Sequence, residues 1–252
     1  MSRYLLEGCV DSVESALAAA AGGADRIELC ANLVIGGTTP DIYMYRQIRE
    51  LTDIKINVLI RPRFGDFCYS DFEYEQMVNQ AEEFARYGAD GIVIGILLPD
   101  GNLDYERVSG LMKAAPKLSV TLHRAYDQAC NPLKQLEAAI EMGVDTILTS
   151  GQQQSAIQGA ELLAKLNEAA GNRIEIMAGG GISAEVIPEL HAKTGIRNYH
   201  MSGKTVLDSP MNWRNPNVNM GLPSLSEYEI WRTDEQSINR ARLVLDDLRA
   251  DK

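Results

Sequence analysis

Residues 23–29 read GADRIEL, residues 88–94 read GADGIVI and residues 143–149 read GVDTILT. Each phrase follows a helical stretch. The glycine suits the left-handed backbone that closes a helix, and the apolar run after the aspartate suits a strand covered on both faces, as in a parallel sheet. Similar joins stand at Gly171 before IEIMAGGG and at Gly195 before IRNYHMSG. The repeating unit is therefore strand, helix, strand.

Eight strands are predicted in this way: Leu5 to Cys9, Arg26 to Cys30, Asn57 to Arg61, Gly91 to Gly95, Ser119 to His123, Thr146 to Ser150, Glu175 to Ala178 and Asn198 to Met201. Helix starts between them are legible at Asp11 with Glu14, at Asn131 before Pro132, and at Ser183 before the apolar Val186 and Ile187. Eight parallel strands, each followed by a helix, predict an α/β fold of the TIM (β/α)8 type. Closure removes the two edges that an open doubly wound sheet, the runner-up, would leave exposed. A length of 252 residues with 45% hydrophobic content suits a single domain over residues 1–252. The Asn- and Pro-rich stretch around Trp213 is read as a long loop at about 203–227 after strand eight, a lid or binding loop, followed by a C-terminal helix at about 233–248.

A formal charge of −11 repels phosphate backbones and anionic membranes, so neither nucleic acid nor a membrane is an expected partner. No stretch approaches the ~20 apolar residues of a bilayer span. The opening MSRYLLEGCVDS carries no basic segment followed by a long apolar one, and a cytosolic location is expected. Cys9, Cys30, Cys68 and Cys130 form no CxxC pair and are expected as thiols.

Strand side chains alternate between the barrel interior and the helix layer, so residues two apart near a C-terminal strand end share the pocket. Ile27 and Leu29 belong against helices, which turns Glu28 and Cys30 inward; Glu7 and Cys9 share a face by the same spacing. IRPRFGD brings Arg61, Arg63 and Asp66 to the rim, and TLHRAYD brings His123, Arg124 and Asp127. Scattered structural ion pairs have no reason to choose the C-terminal end, whereas barrel active sites lie there. Glu28, with Glu7 as its rival, is the candidate base, His123 the candidate acid, and the arginines are candidates to hold a carboxylate or phosphate. Gly179, Gly180 and Gly181 after strand seven, with Ser202 and Gly203 after strand eight, occupy the place where barrels bind anions. Cys9 and Cys30, on adjacent strands, offer two thiolates to a soft ion such as Cu(I), with His123 or Met201 as a further donor; the plainer reading is that both pack as small apolar residues.

The motifs RIELC, IRPRFGDF followed by YS, LHRAYD, ILTSG, IMAGGGI and SPMNWRNPNVNMG, in this order from Leu6 to about Gly221, resemble the CutC family of copper homeostasis proteins. The resemblance implies a cytosolic TIM barrel that assembles into homo-oligomers, with Cu(I) bound by cysteines at the places of Cys9 and Cys30. Glu28, Arg61, Arg63, Asp66, His123, Arg124, Asp127 and Ser150 stand in the recurrent motifs, yet no reaction comes with them. Asn198 stands where many relatives are expected to carry an acid two residues before the strand-eight histidine. Two functional readings follow. One is copper handling through Cys9 and Cys30; the other is a lyase, aldolase or isomerase moving protons on a small anion such as a sugar phosphate or keto acid.

Overall fold

The computed structural model describes residues 4–221 and 225–250. Eight parallel strands, β1 (Leu5–Val10), β2 (Arg26–Leu29), β3 (Lys55–Leu59), β4 (Gly91–Ile94), β5 (Ser119–Leu122), β6 (Thr146–Thr149), β7 (Glu175–Gly179) and β8 (Asn198–Met201), pair in chain order. Strand β8 pairs back onto β1, with His200 opposite Glu7, so the sheet closes into a TIM barrel. The helices α1 (Val13–Ala21), α2 (Ile42–Leu51), α3 (Asp71–Arg86), α4 (Tyr105–Ala114), α5 (Pro132–Met142), α6 (Ala160–Ala170) and α7 (Val186–Thr194) alternate with them, and α8 (Glu235–Ala250) ends the described chain. The first helix is capped one residue later than expected, by Ser12, whose hydroxyl accepts from Ser15 N–H at 3.2 Å.

The repeated phrase has a double job at the foot of the barrel. Gly23, Gly88 and Gly143 hold φ of +90°, +82° and +82°, which lets the chain leave the helix. The next residue then donates back into the last turn, as Val144 does to Ala139 O at 3.1 Å. The aspartates clasp the second residue of the preceding strand through both its N–H and its carbonyl. Asp90 N–H donates to Ile56 O at 3.0 Å while its carboxylate accepts from Ile56 N–H at 2.9 Å; Asp145 does the same with Val120, and Asp25 with Leu6. Each clasp satisfies a backbone donor at a strand start, where the ladder has not begun. Asp145→Ala is therefore expected to lower unfolding free energy by about 1 kcal/mol, read as a urea midpoint shift without a change in slope. An unchanged midpoint would remove the clasp from the account.

Ile27, Leu29, Ile56, Val58, Ile92 and Ile94 are completely buried under the helices. The alternate residues face the barrel axis, and there Val93 and Leu59 share the space with buried polar groups: Glu7, Glu28, Asn57 and Thr121 are all at most 5% exposed. Branched apolar side chains usually fill that space. A charge placed there is costly unless it is paired or meets a ligand.

The expected loop is partly a ribbon. Lys204–Asp208 (β9) and Glu229–Thr233 (β10) pair antiparallel, and Thr233 N–H ties them to the wall by donating to Ser15 Oγ at 3.0 Å. Residues 222–224 of the expected loop lie outside the described residues. Ser202, Gly203 and Lys204 at the ribbon's base line the mouth, whereas the lining includes none of the described residues 209–221. The final helix runs Glu235–Ala250, two residues later than expected at each end.

Candidate functional site

A cavity of about 680 Å³ opens at the C-terminal end of the strands. Its floor is built by neighbouring strands. Cys9 on β1 lies opposite Glu28 on β2, and the thiol donates to Glu28 Oε1 at 3.4 Å. His200 on β8 completes the group: a Cys9, Glu28 and His200 ligand atom all lie within 4.8 Å of one another.

Beneath them, fully buried Glu7 accepts from Arg26 Nε with one oxygen and bonds His200 Nδ1 at 2.7 Å with the other. Burial pushes Glu7 upward, but Arg26 and His200 outweigh it and hold the carboxyl at about 2. An ionised Glu7 requires the proton on His200 Nδ1, which leaves Nε2 to face Cys9 and Glu28. Burial opposes charge on His200, yet Glu28, Cys9 and Glu7 together raise its pKa well above the ordinary value. Hydrogen bonding to Cys30, with burial, raises the Cys9 thiol well above its usual value. Burial likewise raises Glu28, against the opposing charge of His200.

The far wall comes from β3 and β5. Arg61 donates from Nη1 to the carbonyls of Gly36 (3.1 Å) and Gly37 (2.9 Å) and from Nη2 to that of Gly65 (3.1 Å). Its guanidinium lies 5.1 Å from the centre of the Phe67 ring, and that ring lies 5.1 Å from the His123 imidazole. His123 caps the short 3-10 turn at Arg124–Gln128, accepting from Ala125 N–H at Nδ1 (3.1 Å). The absence of a side chain at Gly95 makes room for it, since a Cβ there would stand 2.5 Å from His123 Cε1. Burial, reinforced by Arg61, lowers the His123 pKa to about 3. The ring is therefore neutral, with Nδ1 accepting and the proton on Nε2.

Three buried atoms of this cavity have no partner: Glu28 Oε2, Arg61 Nε and His123 Nε2. Buried polar atoms are rarely left so, and three of them in residues around one cavity favour a ligand there. The pKa of His123 also has a thermodynamic consequence. With a folded value below the unfolded 6.5, His123 withdraws stability as pH falls from 6.5 towards 3, on the order of 4–5 kcal/mol in full. His123→Gln should reduce the loss between pH 7 and 4.5 by about 2–3 kcal/mol in urea unfolding, and an identical loss in both proteins would contradict a neutral buried ring.

The remaining candidates divide. Arg124, Gly180, Gly181, Ser202 and Gly203 line the cavity. Arg63 and Asp66 do not; Arg63 is spent on Glu73 (2.6 Å), Asp66 (3.0 Å) and the carbonyls of Phe64 and Cys68, which knit the loop before α3. Asp127 is consumed at 6% side-chain exposure by Arg124 Nε (2.7 Å), Ser150 N–H and the hydroxyls of Thr149 and Ser150. Gly179 lies within β7, where a Cβ would meet Leu148 at 2.6 Å. Cys30 packs with Cys9, Leu59 and Val93 beneath the turn at Gly37, its thiol donating to Val10 O at 3.4 Å, and is not among the residues that line the cavity. Asn198 donates to Glu175 at 2.6 Å near the foot of the barrel. His200 and its support Glu7 carry more of the site than their sequence context suggested.

Comparison with known proteins settles the family. A sequence profile of the CutC family matches residues 4–205. The chain is 42% identical over 254 residues to a family protein CutC of Bacteroides thetaiotaomicron, covering all of both chains. It is 42% identical to the human copper homeostasis protein cutC homolog, over 96% of this chain and 89% of that one. The chain belongs to the CutC family. The crystal structure of a CutC from Streptococcus agalactiae superimposes with a TM-score of 0.75 at 30% identity, covering 79% of this chain and 98% of that one. A thiamine phosphate pyrophosphorylase from Pyrococcus furiosus superimposes at 0.58 with 19% identity, over 97% and 96% of the two chains, and shares the fold alone. The CutC match stops at the first residues of the ribbon, so every residue lining the pocket except Ser237 falls inside it. No described helix is long and apolar enough to cross a membrane.

Proposed function

We propose that this CutC protein serves copper homeostasis, the role named in its human relative, by holding Cu(I) at the barrel mouth through Cys9 and His200, with Glu28 alongside. One observation carries the reading: donor atoms from three neighbouring strands converge within 4.8 Å at the floor of an open cavity. Thiolate sulfur and imidazole nitrogen suit Cu(I). Glu7 supplies the outer support that metal-bound histidines usually have, fixing the ring by its other nitrogen. Cys30 is a reserve thiol, reaching the ion after turning away from Val10 O. Anaerobic competition titration with a Cu(I) chelator tests this. Cys9→Ser and His200→Gln should each weaken binding by more than about tenfold; equal affinity in wild type and both variants overturns the assignment.

The three partnerless atoms favour a second reading, proton transfer on a small anion. Glu28 then takes the proton. His123, being neutral, offers a hydrogen bond from Nε2 in place of acting as a charged acid, and the charge of a protonated His200 beside Glu28 favours its ionised, basic form.

A further inference from the structure

We infer that the cavity receives a small phosphorylated carbonyl compound, with its carbonyl oxygen on His123 Nε2 and Arg61 Nε and its phosphate between the ends of β6 and β8, on Arg124 and Lys204. The inference rests on the second reading above and names its substrate class. The inner end holds two buried donors that no protein acceptor takes up. His123 and Arg61 are only 5% and 7% exposed, share the Phe67 ring, and leave one N–H each without a partner. Such a pair suits an oxygen that is neutral in the bound molecule and gains negative charge when a neighbouring proton leaves. A fully charged group there would face Glu28, whose free oxygen shares the cavity.

The outer end is built differently. Gly180 and Gly181 hold φ of +93° and +74° and bring bare backbone to the lining. A Cβ at Gly180 would stand 3.6 Å from Arg124 Cζ, which places this glycine beside the guanidinium. Arg124 commits Nε to Asp127 and Nη2 to Ser150, which fixes its plane while it stays 43% exposed. Lys204, at the base of the ribbon, also lines the cavity; its ammonium rests 4.0 Å from the centre of the Trp231 ring, outside the lining, and would swing inward to meet a phosphate. Two cationic side chains beside bare backbone suit a tetrahedral dianion. A volume of about 680 Å³ accommodates both ends of such a molecule.

With the oxygen so placed, the C–H bond beside the carbonyl breaks, its proton passes to the Glu28 carboxylate, and the electron pair moves onto the oxygen as an enolate. Return of a proton from Glu28 to carbon restores the compound. Nothing is oxidised or reduced.

Isothermal titration of the full-length protein with dihydroxyacetone phosphate, dihydroxyacetone, pyruvate and inorganic phosphate tests the class. The phosphorylated ketone should bind at least about tenfold tighter than any of the others. Lys204→Ala, at an exposed position, should weaken dihydroxyacetone phosphate and inorganic phosphate several-fold, whereas His123→Gln should weaken the ketone phosphate and leave inorganic phosphate unchanged. Absence of binding by dihydroxyacetone phosphate at about 10 mM, tighter binding of pyruvate, or indifference to Lys204→Ala overturns the inference. Deuterium uptake by the bound ketone phosphate in D2O separates it from the reading beneath. Binding with the expected variant pattern but no uptake keeps the ligand class and ends proton transfer, and uptake abolished by Glu28→Gln supports both.

Discussion

Cu(I) affinity is expected to rise steeply with pH, by one to two decades per pH unit between about pH 6 and 8, once the chelator's own protonation is subtracted. The sign follows from the two ligands. Cys9 is raised well above its ordinary value, foremost by Cys30 and then by burial, so at neutral pH it is a thiol. His200 is raised well above 6.5, because the surrounding carboxylates and Cys9 outweigh its burial, so it carries a proton. An incoming ion must displace both. Each displaced proton contributes one decade per pH unit while pH lies below the group's pKa, and the dependence flattens as pH passes each value. Affinity independent of pH would mean that neither Cys9 nor His200 gives up a proton, and hence that copper binds elsewhere.

Replacing Glu7 by glutamine should damage both stability and metal binding. Glu7 is fully buried and is the carboxylate against which Arg26, at 13% side-chain exposure, is held. Removing one partner of a buried pair leaves the other charge uncompensated, at a cost of roughly 3–5 kcal/mol, with glutamine near the lower end because it keeps an acceptor. The same substitution loosens His200, whose Nδ1 it faces at 2.7 Å, and loss of such outer support lowers metal affinity about 10–100-fold. Urea unfolding and Cu(I) competition on the same preparation measure both. The wild-type stabilisation by Glu7 is present above pH 4.5 and is lost as pH falls towards 2, so the stability gap between wild type and variant should close in acid. A variant as stable as wild type and equally avid for copper would show Glu7 to be incidental.

The fold was legible because its punctuation is chemical. Glycine followed by aspartate marks the foot of a strand three times over, and the aspartate is there to clasp a neighbour's backbone, a demand that any parallel strand start makes. The ribbon was not legible: Lys204–Asp208 is half or fully exposed throughout, so no alternation betrays it, and its partner begins at Glu229, far beyond any turn signal.

In the site, period-two alternation held for Glu28 and carried a residue or two beyond the strands: it turned Glu28 inward and pointed Arg61 and His123, just past the ends of β3 and β5, to a mouth that both line. It failed in the loops further on. Strand β3 stops at Leu59, so Arg63 no longer alternates with Arg61 but turns into its own loop. Arg124 and Asp127 sit in a 3-10 turn, where residues three apart meet, and they pair with each other. Cys30 obeys the alternation yet is roofed by the chain at Gly37, a packing fact that its spacing from Cys9 does not contain. The Glu7–His200 pair depends on β8 closing against β1, which joins residues 193 apart in sequence.

X-ray absorption at the copper edge of protein loaded anaerobically with Cu(I) reads the ligand set of the ion itself. A shell containing both sulfur and imidazole nitrogen, with the nitrogen scattering lost in His200→Gln, is the expected result. A shell of sulfur alone, unchanged by that substitution, would contradict a copper centre built on Cys9 and His200.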